Sequence, residues 1–353
     1  MAFGLFKKKE EEIPKHNTDI VSLKVKNVVK ETADAVSIHF EHPDGQEISY
    51  KAGQFFTLIV EVNGKKERRA YSVCSSPDVD QYPAVAVKRV EGGKVSNHLN
   101  DHIKEGDTID VLLPMGNFTT EFNEKNKREL VLLGGGSGIT PLMSIAKSTL
   151  KKEPKSSVTL LYANRDENSI IFRQSLEEME AEFDRFKVVH VWEEDKENKA
   201  DYTGYITSEI VGELFEGKNA SQAEVFVCGP APMMEIAIAA AKPAGVPENR
   251  IIKESFTSDI AEAAAPTESD EIIAREVTIH YDDEVFKYTV NPNETILEKG
   301  LDEEIDLPFS CQSGLCTACR GKCLSGKVKM DESEGLSDAE LEEGYVLPCV
   351  SHP

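Results

Sequence analysis

The sequence has no apolar run approaching the ~20 residues of a membrane-spanning helix. It is short of positive charge: 40 Lys and Arg stand against 63 Asp and Glu, a net charge of −23. So acidic a chain repels phosphate backbones, which argues against nucleic-acid binding. Cysteine is almost missing from the first 310 residues, where only Cys74 and Cys228 occur. The opening Met1-Ala2-Phe3-Gly4-Leu5-Phe6-Lys7-Lys8-Lys9 lacks the form of a secretory signal. Its apolar part is short, and its charges follow rather than precede it. It reads as a frayed terminus, with a weak membrane-surface anchor as the alternative, and the expected compartment is the cytoplasm. Disorder is not expected, because 40% of the residues are hydrophobic and can build cores. At 353 residues those cores should number two or three.

Residues 18–113 read as short strands. Segments 21–26, 35–40 and 84–90 alternate apolar and polar residues, and 55–62 is a run of strand formers. Pro43-Asp44-Gly45, Asn63-Gly64, Gly92-Gly93 and Glu105-Gly106-Asp107 separate them as turns. This predicts a closed or nearly closed antiparallel β-barrel over 17–125. Beyond 126 the period changes. Strand candidates at 130–133, 158–162, 188–192, 225–227 and 251–256 alternate with helical stretches at 141–150, 169–182, 206–214 and 232–241. That alternation predicts an α/β doubly wound parallel sheet over 126–256. Residues 257–275, with Ala263-Ala264-Ala265-Pro266 and five acids, read as a linker reaching about 24 Å as a flexible coil. A third domain, 276–353, carries 17 acidic and 6 basic residues.

The remaining five cysteines fall in that last domain. Cys311, Cys316 and Cys319 have C-x4-C-x2-C spacing, and Cys349 follows at a distance. A [2Fe-2S] cluster needs four convergent thiolates, three from one loop and the fourth from elsewhere. Structural zinc prefers paired short knuckles, and here there is one crowded loop and one lone cysteine. Gly314 allows the loop to turn tightly and aim N–H groups at the sulfurs. Cys323 is left over and is expected to be a small buried residue.

Two segments of the barrel half suit a flavin. Arg68-Arg69-Ala70-Tyr71-Ser72-Val73 offers a cation for phosphate, a flat ring and a hydroxyl. On a strand Arg69 and Tyr71 share one face and Ser72 takes the other, or the strand end. Taken alone, such a tyrosine is an ordinary half-buried strand position. Lys88-Arg89-Val90 is followed by Gly92-Gly93-Lys94-Val95-Ser96-Asn97, whose N–H groups can meet a pyrophosphate. The plainer reading is a hairpin and a helix cap.

In the α/β half, a buried strand runs into Gly134-Gly135-Gly136-Ser137-Gly138-Ile139-Thr140-Pro141. Glycines between a strand and a helix bring backbone close to a pyrophosphate. Pro141 suits the first helical turn and Thr140 its N-cap. Cys228-Gly229-Pro230 ends a later strand, and its thiol could be plain core. Lys253-Glu254-Ser255-Phe256 closes the domain. Phe256 reads equally as packing or as a cover on the flavin. Asn164 and Arg165 follow the second strand, with Arg173 beyond. Arginine attracts a 2′-phosphate, whereas Asp166 and Glu167 suit ribose hydroxyls. The balance favours NADPH, with NADH as the alternative.

These segments resemble the ferredoxin–NADP reductase superfamily followed by a plant-type ferredoxin of α+β, β-grasp fold. Arg69, Tyr71 and Ser72 match the R-x-Y-S motif, and Gly93, Lys94, Val95 and Ser96 the second phosphate motif. Pro114-Met115-Gly116-Asn117-Phe118 matches the barrel's end. The resemblance implies FAD rather than FMN. It implies cofactor contacts from Val87, Lys88 and Arg89, from Gly134, Gly136, Ser137, Gly138 and Thr140, and from Asn164, Arg165 and Phe256. It implies that Ser72, Cys228 and Glu254 are catalytic, and that Cys311, Cys316, Cys319 and Cys349 hold the cluster. Plant-type ferredoxins usually continue into a strand after the last cysteine. Here only Val350-Ser351-His352-Pro353 follow, so either that tail is absent or the sheet edge is completed differently. The domain order resembles that of reductases of bacterial oxygenases, the reductase subunit of phenylacetyl-CoA epoxidase among them. It implies electron flow from NAD(P)H through FAD and a cluster to a terminal oxygenase, in the first instance a di-iron epoxidase of that type. Alternatives are another client (a desaturase, a steroid hydroxylase or a hybrid-cluster protein), or a metal-scaffold module without electron transfer.

Overall fold

The computed structural model describes residues 20–217, 219–256 and 274–353, apart from 283, 293, 310, 311, 313, 315, 332 and 334. The opening segment, nearly all of the expected linker and Cys311 lie outside the described residues.

The first unit is a six-stranded antiparallel sheet: β1 (Ile20–Thr32), β2 (Ala35–Glu41), β3 (Phe55–Val62), β4 (Lys65–Ser72), β5 (Ala84–Lys88) and β6 (Thr108–Met115), in the order β4-β3-β6-β1-β2-β5. Alternation puts Val36, Ile38 and Phe40 of β2 inside, where they meet Phe56, Leu58, Val85 and Val87. The two-residue Asn63-Gly64 turn joins β3 to β4 as a tight hairpin. The sheet curls until its edges nearly meet. Val73, just past β4, bridges Val85 of β5, and the Cys74 N–H donates to the Ala84 carbonyl at 2.8 Å. Helix α1 (Lys94–His102) closes the mouth with Val95 and Leu99.

The second unit is a parallel sheet of β7 (Glu129–Gly135), β8 (Ser157–Asn164), β9 (Phe186–Trp192), β10 (Tyr202–Thr203), β11 (Glu224–Cys228) and β12 (Ile251–Glu254), ordered β10-β9-β8-β7-β11-β12. Its helices are α2 (Ile139–Lys152), α3 (Arg173–Glu182), α4 (Ser208–Glu213) and α5 (Ala231–Ala241). Both faces of the sheet are covered, which is why its strands read as continuous apolar runs. Leu130 and Leu132 face α2 and α3, while Val131 and Leu133 face α4 and α5. The strand order reverses between β7 and β11, and ligands bind at the carboxyl ends beside such a reversal.

Two helix starts differ from expectation. A 3-10 turn over Gly136–Gly138 runs directly into α2, so Gly138 is the N-cap and Thr140 lies inside the first turn, its hydroxyl donating to the Ser137 carbonyl at 3.0 Å. The expected 169–182 helix begins only at Arg173. Phe172 before it has φ +63°, and its N–H donates to the Glu31 carboxylate of the barrel at 3.3 Å.

The third unit holds the hairpin β13 (Arg275–Tyr281) and β14 (Glu284–Val290), α6 (Ile296–Asp302), α7 (Asp338–Glu342), and two short ladders. β15 (Gly321–Lys322) pairs with β17 (Tyr345–Val346), and β16 (Lys329–Met330) with β18 (Ser351–His352). Reciprocal capping boxes, Thr295 with Glu298 and Ser337 with Glu340, start both helices. The residues after Cys349 thus do form a strand. His352 fastens it, its imidazole lying 2.8 Å from Asp331 and 3.0 Å from the Glu294 carbonyl.

Candidate functional site

Three strands from two units converge at one junction. Cys228 ends β11, in register with Gly134 of β7 on one side and Glu254 of β12 on the other. Ser72 ends β4, and its hydroxyl donates to Glu254 Oε2 at 3.1 Å. All three residues are buried, Cys228 completely. The three residues expected to be catalytic therefore gather where the barrel meets the carboxyl ends of the parallel strands. Phe256, two residues beyond Glu254, is 41% exposed, so its ring is not core packing and can lie against a planar ligand.

The glycine loop beside them fits a nucleotide. A Cβ on Gly138 would stand 2.0 Å from the Cys228 carbonyl oxygen, so only glycine lets this loop pack on the end of β11. The Tyr162 hydroxyl donates to the Gly136 carbonyl at 3.0 Å and fixes the turn. Ser137 stays half-buried at its lip. From the barrel, the Lys88 ammonium lies 3.2 Å from where a Cβ on Gly136 would stand. Burial, and next the neighbouring Arg165 guanidinium, hold the Lys88 ammonium below its ordinary pKa. Lys88 thus faces the loop with the charge of Arg165 acting on it, and a cation there suits a pyrophosphate. At the end of β8 the Asn164 side chain is buried with neither its nitrogen nor its oxygen hydrogen-bonded. An orphaned amide there suits a polar ligand across β8. Arg165 is exposed beside Asp166 at 3.5 Å and donates to Ser169 at 3.3 Å. Arg173 is already engaged by Glu167 and Glu177.

The expected flavin phosphate residues are divided. Gly93 caps α1 and Lys94 is exposed at its first turn. Ser96 accepts the Val90 N–H at 3.1 Å, so its hydroxyl also holds the turn. Arg89 is paired with Asp101 at 2.5 Å. Strand and helix periodicity put the side chains of Val87 and Val95 in the barrel core, so what they can offer a ligand is backbone. Arg69 is half-buried near Glu67, and Tyr71 lies half-buried against the core.

In the third unit Cys316, Cys319 and Cys349 are all buried. Cys319 and Cys349 share one apolar cluster with Leu297, Leu307, Leu336 and Leu347, which brings the distant cysteine to the loop. The loop turns at Gly314, φ +73°, whose carbonyl accepts the Gly335 N–H at 2.8 Å. A Cβ on Gly335 would meet that carbonyl at 2.7 Å and the Cys316 nitrogen at 3.0 Å. Buried soft thiols on a tightly folded loop fit an iron–sulfur cluster. Cys323 is not buried as expected. It is half-exposed at a turn, its thiol 3.4 Å from the Ser325 carbonyl.

Three family models match in the same order: an oxidoreductase FAD-binding domain over 21–120, an oxidoreductase NAD-binding domain over 132–238, and a 2Fe-2S iron–sulfur cluster binding domain over 279–353. The chain is 34% identical to a component of the 1,2-phenylacetyl-CoA epoxidase of Escherichia coli, covering 95% of this chain and 96% of that protein. It is 38% identical to the ferredoxin reductase component of 3-ketosteroid-9-alpha-monooxygenase of Rhodococcus rhodochrous, covering 97% and 96%. The chain belongs to this family of reductase components. The solved structure of phthalate dioxygenase reductase superposes with a TM-score of 0.65 at 27% identity, covering 94% of this chain and 95% of that one.

The reductase is therefore an NAD(P)H-dependent flavin and iron–sulfur oxidoreductase. No helix among its described residues is long and apolar enough to cross a membrane. Sequence reasoning missed several residues that build the site. Gly335 had no motif around it. Glu31 couples barrel and nucleotide unit through Phe172, with no local pattern to mark it. Phe55, Ala70 and Met115 of the barrel pack against Cys316 and Ala318 of the third unit. That contact sets the cluster loop directly on the flavin half.

Proposed function

We propose that this reductase takes hydride from NADPH and delivers single electrons to a terminal oxygenase in the cytoplasm. A bound FAD accepts two electrons at once and releases them singly, and a [2Fe-2S] cluster carries them one at a time. The observation that carries the reading is the convergence of Ser72, Glu254 and Cys228 where barrel and parallel sheet meet, with the Cys316 loop packed on the same barrel. Ser72, oriented by Glu254, would present its hydroxyl oxygen to a ring nitrogen of a bound flavin. Cys228 and Phe256 position the nicotinamide and cover the flavin. Arg69 and Tyr71, with the first turn of α1, bind the flavin; Lys88, the Gly136–Gly138 turn, Asn164 and Arg165 bind the pyridine nucleotide. Cys311, Cys316, Cys319 and Cys349 ligate the cluster.

The preferred client is a di-iron epoxidase of the phenylacetyl-CoA type. The 38% identity to a steroid monooxygenase reductase favours a second reading, a steroid-hydroxylating client. Reconstitution with each purified oxygenase and its substrate decides between them: product formation coupled to NADPH oxidation is expected with the epoxidase. Coupling with the steroid oxygenase alone would replace the first reading by the second. For nucleotide choice, Arg165→Ala should lower kcat/KM for NADPH more than for NADH, by about tenfold. Equal losses would remove Arg165 from the 2′-phosphate.

A further inference from the structure

We infer that Arg68 is a positioning residue that fixes the cluster loop on the strand carrying the flavin-binding residues. The inference rests on the electron-chain reading above and adds a residue to it. Alternation along β4 sends Arg69 and Tyr71 to one side and Arg68 and Ala70 to the other. Ala70 lies in the apolar contact with Phe55, Met115, Cys316 and Ala318. Arg68 lies beside it and reaches Phe309, two residues before Cys311. Its Nη1 donates to the Phe309 carbonyl at 2.8 Å, and its guanidinium carbon sits 4.2 Å from the Phe309 ring centroid. One side chain thus makes both a hydrogen bond to backbone and a cation–π contact, a combination that suits the planar, pre-organised fork of arginine better than the flexible point charge of lysine. Asp306 adds a favourable charge nearby.

The bond spans 241 positions of sequence, so it is made only if the two units dock. The contact it secures is small and apolar. An apolar patch alone is non-directional and tolerates sliding. A directed bond at its edge sets the register of the cluster loop on β4.

The test compares the wild-type holoenzyme with Arg68→Ala and Arg68→Lys. Visible absorbance is read first: if wild type shows no flavin or iron–sulfur bands, the electron-chain reading fails and this inference with it. With both bands present, hydrogen exchange and stopped-flow absorbance are measured. Bleaching of the flavin by the nucleotide should keep its wild-type rate in both variants. Amides of β3, β4 and the 316–320 segment should exchange faster, and onward transfer from flavin to cluster should slow about tenfold. Arg68→Lys should stay close to Arg68→Ala rather than to wild type. Phe309→Leu, which removes the ring and keeps the carbonyl, carries the same test should Arg68→Ala lose its colour, with a smaller slowing. Wild-type exchange, or wild-type onward transfer, in a fully coloured variant would overturn the inference.

Discussion

The Ser72 hydroxyl and the Glu254 carboxylate, 182 positions apart in sequence, meet at 3.1 Å where the barrel abuts the parallel sheet. The pair ties the end of β4 to the end of β12, so the hydroxyl's direction is set by the second unit rather than by its own strand. Ser72→Ala should slow flavin reduction by about ten- to a hundredfold, the scale of a lost hydrogen bond to a charged group. Nucleotide affinity should stay within about twofold. Glu254→Gln preserves an acceptor for the hydroxyl and should cost less than about tenfold. Stopped-flow bleaching of the flavin measures both; a Ser72→Ala rate equal to wild type would remove the hydroxyl from the reaction.

The thiols make a second prediction. Cys316→Ser should abolish the iron–sulfur absorbance while the nucleotide still bleaches the flavin, because Ser72, Glu254 and Cys228 are built without the third unit. Cys316 also packs on Phe55, so the same variant should loosen the docking of that unit. Cys323→Ser should keep its colour, and in the wild type Cys323 should be the first thiol alkylated, since it alone among the described cysteines is not buried. Loss of colour in Cys323→Ser would show that the ligand set is wrong.

Much of this architecture is legible because it is written in local periods. Apolar runs between helical stretches mark the parallel sheet, and Asn63-Gly64 marks a hairpin of the barrel. The cysteine spacing marks a loop that must close on one centre. What is not legible depends on pairs far apart in sequence. Nothing near Arg68 or Phe309 announces the other. Thr140 has the residue type of a cap, but the 3-10 turn before it has already started the helix at Gly138. The start of α3 departs from its apolar period because Phe172 takes a left-handed conformation, held by Glu31 from another unit. Cys323 is expected inside on residue type alone, yet it falls on a turn beside exposed Leu324.

The pH dependence of stability has a definite sign in the mildly acidic range. Burial holds the His39 and His190 imidazoles below their ordinary pKa of 6.5. The unfolded chain therefore takes up these protons first as pH falls, and between the folded and unfolded pKa it binds more of them. Their stabilising contribution is full above pH ~6.5 and declines below it. Carboxylates such as Glu153 titrate lower: burial opposes its charge, but bonds from Arg128, Ser156 and Asn126 outweigh it. Trp192, the single tryptophan, lies 5.7 Å from His190 and reports unfolding by fluorescence. Denaturant midpoints should fall between pH 7 and pH 5.5, and less steeply in His190→Gln. A His190→Gln profile parallel to wild type would exclude this group.

The last prediction concerns how an oxygenase would approach the third unit, with its 17 acidic and 6 basic residues. Its acids divide by what they face. Asp306 is exposed, and its charge also acts on Arg68. Glu303 pairs with Lys299 at 2.6 Å, and Asp331 lies 2.8 Å from His352, yet both remain exposed, as does Glu304. Glu332 and Glu334 lie outside the described residues. The barrel packs on Cys316 and Ala318, so a partner must approach a part of the third unit that this contact leaves open. Exposed charge of one sign acts mainly on the rate of encounter and is screened over ~8 Å at physiological salt. Electron delivery to a basic partner site should therefore slow as salt rises, while reduction of a small neutral acceptor changes little. Glu303→Gln with Glu304→Gln should lower the partner rate at low salt and flatten its salt dependence, leaving flavin bleaching by the nucleotide unaltered. If partner reduction is indifferent to ionic strength, the acidic face is only a solvated surface, and docking is decided by the apolar and hydrogen-bonding groups around the cluster loop.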